Sequence, residues 1–159
     1  MENLENMEKI KAIQSELGYY LVSMMPVPWS KICFYAKAAR GFSSIYWGVI
    51  EKETGVICAM DFFWNRYDSN PVKEWNAIKK LNKLVSDLYN AYLERFGEDK
   101  IWRLMFYTIE SDGKVHIDFK YEDLPGTSVE QQDEVYRRFF GTEYEYYWTK
   151  YPSTEIGQG

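Results

Sequence analysis

Three short runs, WSKICFYAKAA, SIYWGVI and VICAMDFF, follow one another between residues 29 and 63, separated only by ARGFS and EKETG. β-Branched and aromatic side chains dominate the runs and turn-forming residues punctuate them, which predicts an antiparallel meander with strands over about 30–39, 44–50 and 56–63. A meander needs a second layer to cover its apolar face. The flanking sequence supplies one on each side. Leu4, Met7, Ile10, Ile13, Leu17, Leu21 and Met24 recur at three- and four-residue steps, predicting an amphipathic helix over about 2–25 that Pro26 and Pro28 stop. After the meander, Asn70-Pro71 offers a capping side chain and a proline at a first helical position. Trp75, Ile78, Leu81, Val85, Leu88, Tyr92 and Phe96 then continue at helical spacing until Gly97.

Two further strands, WRLMFYTI and KVHIDFKY, flank Ser111-Asp112-Gly113, whose DG pair suits a tight hairpin turn. In the second, Val115, Ile117, Phe119 and Tyr121 alternate with His116, Asp118 and Lys120, predicting one buried and one wet face. Ser128 with Gln131 forms a capping-box pattern ahead of a last helix, VEQQDEVYRRFF, ended by Gly141. The resulting order, α-βββ-α-ββ-α, predicts an α+β fold: a five-stranded antiparallel sheet with helices packed on a face. The length of 159 residues fits one domain over 1–152, with 153–159 as a polar, fraying tail.

Function is constrained first by what is scarce. The start, MENLENMEKIK, lacks the basic and then apolar order of a signal peptide, and no run reaches membrane-spanning length, so a cytoplasmic protein without membrane association is expected. Cys33 and Cys58 have neither metal nor redox spacing and are expected as reduced packing residues. Singly placed glycines form no phosphate loop or dinucleotide fingerprint. No cofactor and no metal are expected. His116 is the one histidine, and beside Asp118 and Glu122 it marks where an enzyme of unrecognised type would be centred. A solvated surface pair is the plainer reading of His116 and Asp118.

The net charge of −5 argues against a general nucleic-acid binder. Its distribution is uneven: residues 1–105 hold 13 acids against 14 bases, whereas 106–159 hold 11 against 5. Glu122, Asp123, Glu130, Asp133 and Glu134 lead into Glu143 and Glu145, interleaved with aromatics that include Tyr147 and Trp148. Carboxylates mixed with Tyr and Trp suit recognition of a basic protein, charge speeding the encounter and rings anchoring the complex. Two other readings stay open: an ion-pair ladder along the last helix, with Asp133 and Glu134 each four residues before an arginine, and exposed rings that stack single-stranded nucleic acid.

Pro28-Trp29 at the entry to the first strand, the hairpin around Ser111-Asp112-Gly113-Lys114, the block IDFKYEDL over 117–124 and the close with Trp148 and Tyr151-Pro152 resemble the YezG/EsaG-like antitoxin family of Gram-positive bacteria. The resemblance covers roughly residues 4–152, the DGK…IDFKYEDL block being its most specific part. It implies an immunity protein that neutralises a toxin, typically an LXG-type nuclease exported by the type VII secretion system. The implied partner is the toxin's basic nuclease domain and the implied activity is binding, not catalysis. The resemblance brings no catalytic residues and no residue-level interface.

Overall fold

The structure, a computed structural model, describes residues 2–67 and 70–141. Five strands form one antiparallel sheet in the order β3-β2-β1-β4-β5: β1 (Trp29–Ala39), β2 (Phe42–Glu51), β3 (Ile57–Ala59), β4 (Leu104–Glu110) and β5 (Val115–Lys120). The helices are α1 (Glu2–Ser23), α2 (Met60–Tyr67), α3 (Pro71–Phe96) and α4 (Ser128–Phe140). The α+β fold and the five antiparallel strands agree with the sequence reading.

Central position makes β1 apolar on both sides. Ile32, Phe34, Ala36 and Ala38 point into the larger core with Trp47 and Val49 of β2, Met105, Tyr107 and Ile109 of β4, and the buried stripes of α1 and α3. Cys33 and Tyr35 point the other way, joining Leu104, Phe106, Leu124, Val135 and Phe139 in a second core beneath α4. Helices therefore cover both faces of the sheet, not one. The two-sided burial is legible in β1 itself, whose apolar residues run on without alternating.

Helices α1 and α3 lie against each other, joined by a Gln14–Tyr92 hydrogen bond of 3.0 Å and a Lys80–Glu16 ion pair of 3.0 Å. Asn70 Oδ1 accepts from the amides of Val72 and Lys73 and Pro71 opens α3, while Gly97 closes it with φ +82°. Mid-helix Gly18 serves a close approach: a Cβ there would lie 2.5 Å from the Tyr107 hydroxyl, which donates to the Gln14 carbonyl at 2.9 Å.

The expected third strand over 56–63 is the clearest departure. Pairing with β2 ends at Ala59, and Met60 begins α2. Met60, Phe63, Trp64 and Tyr67 stand at helical spacing and bring aromatic rings onto the sheet, with Phe63 4.3 Å from Trp47 between ring centroids. A short local correction concerns α4: Thr127, not Ser128, is the N-cap, its hydroxyl accepting from the Glu130 amide at 3.3 Å. β5 is less buried than its alternation predicts, because it is an edge strand: Ile117 and Phe119 are half-buried and Val115 is exposed.

Candidate functional site

The acidic block predicted from sequence is carried by the segment leaving β5 and by α4. Leu124 is buried in the second core and acts as the anchor of the connecting loop. Gln131 fastens that loop from the helix side, its amide nitrogen donating to the carbonyls of Leu124 at 2.6 Å and Gly126 at 3.0 Å. The far end is held by Lys31 of β1, whose ammonium donates to the Phe139 carbonyl at 2.8 Å and so supplies a cation to the negative end of the helix dipole. Tyr136 is fully buried and its hydroxyl donates to the Trp47 carbonyl at 3.3 Å. Gly48 makes room for α4, since a Cβ there would meet the Phe140 ring at 3.0 Å. With Val135, Tyr136 and Phe139 turned inward, the acids of α4 face out.

The acids of this face differ in their surroundings. Asp123 receives Arg103 at 2.8 Å and Lys37 at 3.1 Å, tying the loop to β1 and to the residue preceding β4. Asp133 pairs with Arg137 at 2.7 Å and Glu134 with Arg138 at 3.0 Å, both across one helical turn. Glu122 and Glu130 are exposed and hold no ion pair among the described residues, and the Glu130 side chain lies over Gly126, whose φ of +95° favours glycine. Tyr121 and Val129 are exposed on the same segment, 60% and 77% respectively. Glu143, Glu145, Tyr147 and Trp148 lie outside the described residues, as do the predicted tail and the aromatic close. The pairings of Asp123 bridge residues far apart in sequence, so no local spacing could announce them.

Sequence reading missed the one charged residue that is buried among the described residues. Glu51, at the end of β2, is buried and accepts from the Arg66 guanidinium at 2.6 and 2.7 Å, from Thr54 at 2.6 Å and from the Tyr67 hydroxyl. Burial opposes its ionisation, but the hydrogen bonds from Arg66, Thr54 and Tyr67 outweigh it and hold the carboxyl down at about 2. Burial, together with the neighbouring carboxylate, pushes the Tyr67 phenol well above its usual range. These donors leave the carboxylate saturated, which makes it a joint between β2 and α2. Helical spacing of Met60, Phe63, Trp64 and Tyr67 was the available signal for it.

His116 and Asp118 stand on the exposed face of β5, and Asp118 pairs with Lys120 at 3.3 Å. A shallow recess of about 250 Å³ beside them is lined by Phe106, Thr108, Arg138 and Phe139, while Glu122 lies beyond the strand end. Cys33 and Cys58 are free and buried, and burial pushes each thiol up to about 12, far from a nucleophile's range. Among the described residues, no three His, Cys, Asp or Glu side chains are grouped to hold a metal ion, and no helix is long and apolar enough to cross a membrane.

The polar groups of the loop and of α4 thus divide into those that fasten the segment to the sheet and those that stand in solvent. The chain belongs to the YezG-like immunity protein family: the family model described as "Immunity protein YezG-like" matches residues 10–155. No curated protein matches the chain. An immunity role follows from that membership, and with it a toxin as protein partner.

Proposed function

We propose that the protein is an antitoxin that binds and neutralises a secreted nuclease toxin in the cytoplasm, using the acidic and aromatic surface that begins at Glu122. Family membership is the observation that carries this reading. The surface placement of Glu122, Asp123, Glu130, Asp133 and Glu134 supports it. Glu143, Glu145, Tyr147 and Trp148 complete the proposed surface. A nuclease must present cations to substrate phosphates, so a carboxylate surface competes for the same groups. The exposed pairs on α4 suit this use, since breaking a solvated pair costs little and an incoming arginine can replace the resident one.

Co-expression with the cognate toxin gene tests the proposal: growth should be rescued and a stoichiometric complex should be recovered. Absence of both would sink it. A finer test is kinetic. Glu122→Lys with Glu130→Lys should slow association about tenfold, with the effect shrinking as salt rises. An unchanged association rate would move the interface elsewhere on the molecule.

A further inference from the structure

One long boundary of the sheet has no partner among the described residues: β5 is its last strand. At the turn of the β4–β5 hairpin the Glu110 amide donates to the Lys114 carbonyl at 2.8 Å, so Glu110 faces β5 with its backbone. Alternation along the antiparallel ladder then turns the backbone groups of His116, Asp118 and Lys120 toward β4, and those of Val115, Ile117 and Phe119 outward. Outward amides and carbonyls in an extended row are a template for another strand.

We infer that the occupant of this edge is a second copy of the same chain, paired β5 to β5 about a two-fold axis at Phe119. In that register Asp118 of each copy stands opposite Lys120 of the other. The charges on the polar face of the strand are thus self-complementary, as an isologous joint requires. Asp118 and Lys120 already pair within one strand at 3.3 Å, so joining two copies closes a ring of four alternating charges.

The other face of the strand is complementary in shape. A groove of about 410 Å³ runs between α1 and β5, floored by Tyr107 and Ile117 and bordered by Gly18, Tyr19 and Val22. Tyr19 is 77% exposed at its rim. Tyr121, the residue after the strand, is exposed and stands near Tyr92 of α3. Pairing about Phe119 sets Tyr121 opposite the other copy's Ile117, where its ring enters that copy's groove. Each copy thereby fills an apolar recess of the other with a side chain that is otherwise in water.

Light scattering after size exclusion, over a concentration series of the full chain without toxin, tests the inference independently of the toxin reading. A concentration-dependent dimer is expected. Asp118→Lys or Lys120→Asp alone should weaken it about tenfold or more, because each sets like charges face to face. The double variant Asp118→Lys/Lys120→Asp should restore it. Tyr121→Ser should weaken it without touching the charges. A monomer at every concentration, a double variant no better than the singles, or Lys120→Asp dimerising as well as the parent would overturn the inference. So would β5 amides that gain exchange protection only when toxin is added, which would give the edge to the toxin.

Discussion

At the junction of β2 and α2, Glu51 meets Arg66 inside the molecule, with side chains 7% and 16% exposed; on α4, Asp133 meets Arg137 in the open, 45% and 51% exposed. Both contacts are short, at 2.6 and 2.7 Å between the nearest atoms. Surroundings separate them. The buried carboxylate has given up water and depends on Arg66, Thr54 and Tyr67 for every interaction that replaces it. The exposed carboxylate keeps water as an alternative partner, so its arginine is exchangeable. One acid is committed to the fold, and the other makes its contact in solvent.

The largest expected effect lies on the buried side. Arg66→Ala leaves an unpaired carboxylate in the interior and should destabilise the protein by about 3–5 kcal/mol in urea unfolding, against no more than about 1 kcal/mol for Arg137→Ala. Equal losses would erase the distinction between the two pairs.

Acid should break the same pair next. Glu51 titrates at about 2 in the folded protein against 4.5 without the fold. The unfolded chain therefore takes up its proton first as pH falls, and stability is lost on the way down. The contribution is whole above about pH 4.5 and gone below about pH 2, a loss of about 3 kcal/mol. Glu51→Gln should flatten that limb of the profile; an unchanged acid limb would show that other carboxyls carry it.

Smaller effects sharpen the exposed side. Thr127→Ala removes the N-cap of α4 and should cost about 1 kcal/mol by thermal unfolding, whereas Ser128→Ala should cost no more than about 0.5 kcal/mol. Smallest of all, Asp133→Asn with Glu134→Gln should shift stability by no more than about 1 kcal/mol while slowing toxin association measurably by stopped flow. A large stability loss there would assign these acids to the fold after all.

Much of the architecture was legible because it is written in local terms. The stripes of α1 and α3, the Asn70-Pro71 start, the glycine stops at 97 and 141 and the DG hairpin each depend on residues within a turn or two of one another. Met60–Tyr67 was misjudged because VICAMDFF satisfies a β composition while its later half also satisfies a helical period. A short apolar run does not choose between them without knowing what it packs against. Trp47 decides it, by offering Phe63 a ring to meet.

The candidate site divides along the same line. Its acidity and the DGK and IDFKYEDL runs on which the resemblance rested are properties of the chain, readable in one dimension. Which acids are available is a property of the folded molecule. Lys37 and Arg103 reach Asp123 only after β1 and β4 pair, and Glu51 becomes buried only when α2 closes over β2. By itself the sequence determined the periodicities, the caps and turns, and the sign of the charge, since these follow from covalent spacing and side-chain chemistry. Tertiary structure alone decided which charges are paired, which are buried and which strand is left at the edge, because each depends on distances between residues that only packing brings together.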